Sequence, residues 1–199
     1  MGKKVKDVNL SKLKEHSILL AKKVHETEYI PEHVLYVERV GLFPGTEIAK
    51  FFGCPISGIA ASRSGTSVKS RLKIILRYLP RPITHFLRNL EIKSNMHGIK
   101  KERNVYVANR MPPKGKKLLV VDDAIDTGNS LKAVVDFLLE REYEPKNIRK
   151  AVLTTTAEKP IYRADISLFE SCFAFPWSYD SREYNAAWRR YHQLKDAIN

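Results

Sequence analysis

The chain has 199 residues, enough for one domain of ordinary size, and its 43% apolar composition excludes an intrinsically disordered protein. Thirty-five Lys and Arg residues against 22 Asp and Glu residues give a formal net charge of +13 at pH 7. This charge excludes a typical acidic cytosolic protein and favours a polyanionic partner, which a phosphorylated metabolite, a nucleic acid or a membrane surface would each provide.

The N-terminal third of the chain predicts alternating helices and strands. Apolar residues first recur at three- and four-residue spacing, which predicts an amphipathic helix with Ser11 as its N-cap. Two short apolar runs then predict buried strands, and Pro44 and Gly45 open a helix between them. The predicted elements are a helix from Leu10 to about Thr27, a strand from His33 to Val37, a helix from Thr46 to Phe52 and a strand from Pro55 to Ala61. This order is typical of a parallel α/β sheet.

The segment from Arg63 to Asn104 carries most of the positive charge. It has 11 Lys and Arg residues and two Glu residues, which is +9 of the chain's +13. Its apolar spacing predicts two short basic helices, broken at Pro80 and Pro82, before a strand from Asn104 to Ala108. Because the apolar faces of two such helices would form an exposed patch on a monomer, we expect them to be buried in a homodimer or against the rest of the domain.

Regular alternation resumes in the remainder of the chain. The predicted elements are a strand from Lys116 to Asp122, a helix from Leu131 to Glu140, a strand from Arg149 to Thr155, a strand-like segment from Ile166 to Phe175 and a polar helix from Tyr184 to Ala197. Strands that alternate with helices predict an α/β domain with a mainly parallel central sheet.

Cysteine, histidine and hydropathy patterns exclude several kinds of site. Cys54 and Cys172 are too few for a disulfide framework or a four-cysteine zinc site, and the six histidines lack metal-ligand spacing. No apolar run reaches the roughly 18 residues that a membrane span needs, and the polar N-terminus lacks the apolar core of a signal peptide. We therefore expect a cytoplasmic protein without a membrane span.

The most informative stretch is Leu118 to Ser130, LLVVDDAIDTGNS. An apolar strand leads into Asp122 and Asp123, and a glycine-containing turn then opens a helix. Backbone amides at a helix start suit a phosphate group, and paired carboxylates suit sugar hydroxyls or Mg²⁺. Three acids within five residues repel one another unless a cation or hydroxyl groups are bound. The pattern therefore predicts a site for a phosphorylated sugar.

At these residues the chain resembles the type I phosphoribosyltransferases, whose signature is an apolar strand, two acids, two further residues and Asp-Thr-Gly-x-Ser/Thr. The resemblance implies that Asp122 and Asp123 bind the ribose of phosphoribosyl pyrophosphate together with Mg²⁺. It also implies that Asp126 is the catalytic residue, which exchanges a proton with purine N7. The implied loop for the 5′-phosphate consists of Asp126, Thr127, Gly128, Asn129 and Ser130.

A second resemblance covers Val37 to Gly53, VERVGLFPGTEIAKFFG. It is similar to the strand-to-helix turn of bacterial xanthine–guanine phosphoribosyltransferases, an Arg-Gly-Gly-Leu-x-Pro loop that binds pyrophosphate. The implied pyrophosphate-binding residues are Arg39, Val40 and Gly41, with Val40 in the place of the first glycine.

A third resemblance lies near the C-terminus, in Phe173 to Tyr184, FAFPWSYDSREY. This stretch resembles the hood of hypoxanthine–guanine phosphoribosyltransferases, with Pro176 in place of the glycine of that pattern. The resemblance implies that Phe173 and Trp177 bind the base and that Asp180 holds a second Mg²⁺. Lys159 resembles the lysine that donates to a purine 6-oxo group.

These resemblances imply a type I phosphoribosyltransferase fold over residues 1–199, with the basic insertion at about 63–104 and a hood at about 157–184. The implied function is transfer of a phosphoribosyl group from phosphoribosyl pyrophosphate to a 6-oxopurine in purine salvage. Two alternatives stay open: a non-purine acceptor, or a non-catalytic sensor of phosphoribosyl pyrophosphate that binds nucleic acid through its basic surface. We expect a homo-oligomer, with a dimer as the favoured form and nucleic-acid binding not favoured.

Overall fold

The computed structural model describes residues 5–63 and 103–198. The two basic helices predicted between Arg63 and Asn104 therefore lie outside the described residues, which include only the first and last residues of that segment. The elements in chain order are β1 Lys6–Asp7, α1 Leu10–His25, β2 His33–Val37, α2 Leu42–Phe52, β3 Ile56–Arg63, β4 Arg103–Val107, β5 Leu118–Ile125, α3 Asn129–Glu140, a 3-10 helix Pro145–Asn147, β6 Ile148–Thr155, β7 Ile166–Phe169, β8 Phe173–Ala174 and α4 Tyr184–Asp196.

A six-stranded sheet forms the centre of the described chain, in the order β4-β3-β2-β5-β6-β7. Every neighbouring pair is parallel except β3 and β4, which are antiparallel. A second sheet has two strands, with Lys6 of β1 opposite Phe173 of β8. The sequence prediction of an α/β fold with a mainly parallel sheet flanked by helices is confirmed.

Helices cover both faces of the central sheet, as parallel sheets require. Alternate residues of β2 show the two sides: Val34 and Tyr36 belong to the core that α1, α2 and α4 cover, whereas Leu35 and Val37 belong to the core that α3 covers. All five residues of β2 are buried, which explains why its sequence is a continuous apolar run without polar alternation. Because helices cover both faces of the sheet, polar side chains can reach a ligand only near the ends of these strands.

Two helix starts differ from their predictions. Asn9 caps α1, because its backbone is extended and its side-chain oxygen accepts from the Lys12 amide at 2.8 Å, so the prediction of Ser11 as N-cap is wrong. Helix α2 begins at Leu42, four residues before the predicted start, because proline is well tolerated in a first turn and Pro44 lies there. Gly53 ends α2 in the left-handed conformation that glycine readily adopts at a helix C-terminus.

The predicted strand-like segment from Ile166 to Phe175 is two strands in two different sheets, β7 and β8. The buried hydroxyl of Thr154 accepts from the Ser171 amide at 3.2 Å and donates to the Ser171 carbonyl, which holds the chain in a bend after β7. The prediction of one continuous element is therefore wrong. No helix in the described ranges is long and apolar enough to cross a membrane, and Cys54 and Cys172 are both free thiols.

Candidate active site

The paired acids lie within β5 and not after it, because the strand continues to Ile125. Asp122 is buried, and its Oδ1 atom accepts from the Asp123 amide at 2.9 Å. Burial raises the pKa of Asp123 above its ordinary value, and the hydrogen bond with the Asp122 side chain acts in the opposite direction. Two adjacent carboxyl groups, that of Asp122 buried and that of Asp123 half-buried, favour a bound proton or cation, since either relieves the cost of taking their negative charge out of water.

The loop after β5 leads directly into α3. Gly128 precedes this helix with a positive φ of 83°, a conformation that glycine adopts without the steric cost of a Cβ atom. Among the described residues, the Thr127 hydroxyl accepts from the Asn129 amide at 3.4 Å, whereas the amides of Gly128 and Ser130 donate to no acceptor. Unpaired amides at the start of a twelve-residue helix suit an anion such as a phosphate group.

The segment that follows β6 packs against this loop. The Thr156 amide donates to the carbonyl of Ile125 at 2.8 Å, and the amides of Ile161 and Tyr162 both donate to the carbonyl of Thr127 at 2.9 and 3.2 Å. A Cβ atom on Gly128 would lie 2.1 Å from the Tyr162 carbonyl oxygen. The segment 156–162 thus fixes the backbone of the loop.

The turn between β2 and α2 lies beside the paired acids. A Cβ atom on Gly41 would lie 2.5 Å from the carbonyl oxygen of Val37 and 2.8 Å from that of Val121, the residue before Asp122. Only glycine allows this approach. Val40 does not have a positive φ, so valine fits where the family pattern has its first glycine, and the peptide bond between Glu38 and Arg39 is cis.

Helix α4 contacts the same turn through two side chains. The guanidinium carbon of Arg39 lies 5.4 Å from the ring centroid of Trp188, and the ammonium group of Lys195 lies 2.9 Å from a carboxylate oxygen of Glu38. Arg39 is exposed, whereas the Glu38 side chain is only 8% exposed. Sequence analysis missed Glu38, Trp188 and Lys195, because no local pattern joins a turn near residue 40 to a C-terminal helix.

The two aromatic residues predicted to bind the base are both covered by other rings. Phe173 is buried and lies 5.2 and 5.8 Å from the ring centroids of Phe169 and Phe175. Trp177 stacks on Phe43 at 5.0 Å and on Phe175 at 4.7 Å. Phe173 therefore has little ring surface open to a ligand, whereas Trp177 is half-buried between two rings.

A family model, the phosphoribosyl transferase domain, matches residues 9–183. The chain belongs to the phosphoribosyltransferase family. Its order of strand, paired acids, glycine turn and helix is the part of the fold that the sequence resemblance predicted, and the assignment to this enzyme class is confirmed.

Solved phosphoribosyltransferase structures share the fold at low sequence identity. A purine phosphoribosyltransferase from Pyrococcus horikoshii is 18% identical, with 87% of this chain and 93% of that chain covered and a TM-score of 0.58. A xanthine-guanine-hypoxanthine phosphoribosyltransferase from Helicobacter pylori is 18% identical, with 94% and 99% covered and a TM-score of 0.64. A Neisseria gonorrhoeae protein with bound ppGpp is 15% identical, with 100% and 99% covered and a TM-score of 0.59. No curated protein matches the chain in sequence.

Lys159 and Asp180, the other predicted residues of this phosphoribosyltransferase, lie in different places. Lys159 is exposed and belongs to the segment 156–162, which contacts the loop after β5. Asp180 lines a cavity of about 380 Å³ between the hood and the N-terminal segment, and no residue of the loop after β5 is among the residues that line it. The segment that contains Lys159 therefore contacts the loop after β5, whereas Asp180 lies at a separate opening.

Mg²⁺ is the metal that the family implies, and Asp122 and Asp123 fit it as oxygen ligands. Within the described residues, no group of three or more His, Cys, Asp or Glu side chains could hold a metal ion. Mg²⁺ often binds through one or two carboxylates, with substrate oxygens and water as its remaining ligands. The paired acids suit that kind of site, in which the metal arrives with a phosphorylated substrate.

Proposed function

We propose that this phosphoribosyltransferase moves the 5-phosphoribosyl group from phosphoribosyl pyrophosphate to a 6-oxopurine and releases pyrophosphate. The observation that carries the proposal is the close approach of Gly41 to the Val121 carbonyl. This approach places the turn after β2 beside Asp122 and Asp123. The loop before α3 comes directly after these acids in the same strand–loop–helix unit. Three parts of one ligand, pyrophosphate, ribose and 5′-phosphate, then have neighbouring sites in that order.

In this proposal the free amides of Gly128 and Ser130 bind the 5′-phosphate, and the paired acids accept hydrogen bonds from the ribose hydroxyls. Arg39, exposed on the turn, offers a guanidinium group to the pyrophosphate. Asp122 and Asp123 would also hold Mg²⁺, which supplies positive charge to the leaving pyrophosphate when it is bound.

The chemical step needs positioning and charge stabilisation more than a covalent nucleophile. As pyrophosphate leaves C1 of the ribose, positive charge develops on the sugar, and the carboxylates of β5 stabilise it. Asp126, in the loop before α3, accepts the proton from purine N7 as the new bond forms. The residues of the chain thus fix the donor at one edge of the sheet while the acceptor approaches from the hood.

A calorimetric titration with phosphoribosyl pyrophosphate, with and without Mg²⁺, tests donor binding. Asp122→Asn with Asp123→Asn removes both charges and should raise the dissociation constant at least about tenfold, because hydrogen bonds to charged groups contribute roughly 1.5–3 kcal/mol. Asp136→Asn is the matched control, since Asp136 lies on α3 and pairs with the exposed Lys132. Donor binding by the double variant that equals that of the control would contradict the site.

Lys159 supports a 6-oxopurine acceptor, because an ammonium group donates to a carbonyl oxygen and cannot accept from an exocyclic amine. Its segment already contacts the phosphate loop. An assay of pyrophosphate release with hypoxanthine, guanine, xanthine and adenine should show strong preference for the 6-oxopurines, and Lys159→Ala should lose that preference. Equal turnover of adenine and hypoxanthine would exclude this acceptor class.

A transferase for a non-purine acceptor is the second candidate, and the covered rings of Phe173 and Trp177 favour it. A purine needs an open aromatic or apolar face to stack on, and these two residues offer little of one. Donor binding without turnover of any purine in the assay above would support this candidate. We further propose that the chain is a single domain that acts in the cytoplasm. We also propose that it is a homo-oligomer, and sedimentation of the purified protein would test this oligomeric state.

A further inference from the structure

We propose that Lys195 is a positioning residue for pyrophosphate: it neutralises Glu38, whose carboxylate would otherwise repel an anion bound at the turn between β2 and α2. This inference rests on the proposed function, because it assigns the turn to pyrophosphate. It adds a C-terminal helix to a site that the sequence placed in β2, β5 and the loops after them.

Glu38 has a position that is unfavourable for binding an anion. It lies next to Arg39 and three residues before Gly41, within the turn itself, and its side chain is only 8% exposed. A carboxylate with so little access to water depends on a nearby cation, and Lys195 provides one at 2.9 Å. The Glu38 carboxylate in turn raises the pKa of Lys195, so the ammonium group of Lys195 stays charged at neutral pH.

Helix α4 is held so that this cation stays in place. Trp188, Tyr191 and Lys195 follow one another at three- and four-residue spacing and therefore lie on one face of the helix. Tyr191 is buried, 6.5 Å from the ring centroid of Phe43 in α2, and the Lys195 ammonium lies 5.9 Å from the Tyr191 ring centroid. Trp188 contacts Arg39 from the same face.

This face of α4 thus contacts one negative and one positive charge of the turn, and both contacts favour an anionic ligand. It cancels the negative charge of Glu38 through Lys195, and it supports the positive charge of Arg39 on the Trp188 ring. Removal of Lys195 leaves the turn with an unpaired carboxylate beside its arginine. The expected loss is therefore in affinity for pyrophosphate, and it should disappear when the carboxylate is removed as well.

The test is calorimetric titration of the full chain with pyrophosphate and Mg²⁺, with a thermal melt of each variant as a check on folding. Lys195→Met should raise the dissociation constant about tenfold, because the nearly buried Glu38 carboxylate then faces the anion without its cation. Adding Glu38→Gln to that variant should restore binding to within about threefold of the unaltered chain. Lys195→Arg should bind normally, and Glu38→Gln alone should bind no more weakly than the unaltered chain.

Lys116→Met is the matched control, because Lys116 pairs with Glu32 at 2.6 Å near the start of β2, at the opposite edge of the sheet. Unchanged binding by Lys195→Met, or a double variant as weak as Lys195→Met, would overturn the positioning role alone. A weaker Glu38→Gln variant would also overturn it, and this measurement stands even if Lys195→Met does not fold. Failure of the unaltered chain to bind pyrophosphate would overturn the proposed function as well.

Discussion

At the scale of single residues, the turn after β2 depends on the absence of a side chain at Gly41. Its backbone approaches two carbonyl oxygens, those of Val37 and Val121, which belong to neighbouring strands. Backbone atoms cannot move aside as the end of a flexible side chain can. The spacing between the turn after β2 and the paired acids of β5 therefore depends on this single residue.

Gly41→Ala should weaken pyrophosphate binding at least about tenfold, roughly 1.4 kcal/mol, because the turn must shift away from β5 to admit the methyl group. Calorimetric titration with pyrophosphate measures this loss. Gly53→Ala is the control: its φ of 62° strains alanine, yet no atom lies within 4 Å of a Cβ placed there. That control should lose only about 1 kcal/mol of stability and bind normally. Equal binding by the two variants would show that the approach of Gly41 does not matter.

His33, at the start of β2, should make stability depend on pH. Burial lowers its pKa below the ordinary value of 6.5, and Arg110 acts in the same direction. The unfolded chain therefore takes up a proton below pH 6.5 that the folded chain resists, and the free energy of unfolding falls as the pH drops. The slope should reach at most about 1.4 kcal/mol per pH unit.

Urea unfolding between pH 5 and 7.5 checks this dependence. His33→Gln should flatten the curve, since glutamine can keep a hydrogen bond to Ser57, which now lies 2.8 Å from the imidazole Nε2 atom. The exposed His25→Gln should leave the curve as it is. A His33→Gln variant with the full pH dependence would assign the effect to other groups.

At the scale of elements, the loop before α3 is held by the segment that follows β6. The amides of Ile161 and Tyr162 both donate to the carbonyl of Thr127, so this carbonyl accepts from that segment and not from the first turn of α3. The segment between β6 and β7 therefore shapes the loop to which the proposed function assigns the 5′-phosphate.

Gly128→Ala should abolish binding of phosphoribosyl pyrophosphate, a larger effect than the weakened pyrophosphate binding expected for Gly41→Ala. A methyl group there would lie 2.1 Å from the Tyr162 carbonyl oxygen at a φ that alanine rarely adopts, so the segment 156–162 must separate from the loop. Calorimetry with phosphoribosyl pyrophosphate should show no measurable binding. Hydrogen exchange should also show faster exchange of the Ile161 and Tyr162 amides, and unchanged exchange there would contradict this account of the loop.

The sequence predicted correctly those elements whose residues follow a single hydropathy pattern from end to end. Strand β2 has the predicted bounds because every one of its residues is buried. The motif in β5 likewise predicted a strand, a turn and a helix in that order. The end of β5 was predicted too early, because acidic residues more often follow a buried strand than lie within one. The pairing of Glu38 with Lys195 could not be predicted, since 157 residues separate the two and neither belongs to a motif.

At the scale of the whole molecule, the net charge of +13 would suit either a small anion or a nucleic acid as the partner. The described residues include amides without acceptors at the start of α3 and an exposed Arg39, and both suit phosphate groups. We expect gel shifts with single-stranded and duplex DNA and RNA at about 150 mM salt to show no binding tighter than the roughly 10⁻⁶ M end of the non-specific range. Tighter binding would favour a regulator that uses the phosphoribosyltransferase fold.

The pairing of β1 with β8 has a consequence for how the protein is made. Lys6 leaves the ribosome long before its partner Phe173, and at about 5–20 residues per second the N-terminal segment waits on the order of 10–30 s. Meanwhile β2, β3 and β5 can already form their parallel sheet. A nascent chain arrested before Phe173 should therefore carry the loop before α3 and the turn after β2, with the segment around Lys6 still open to a protease or a chaperone. Synthesis of β8 is then the step that protects this segment.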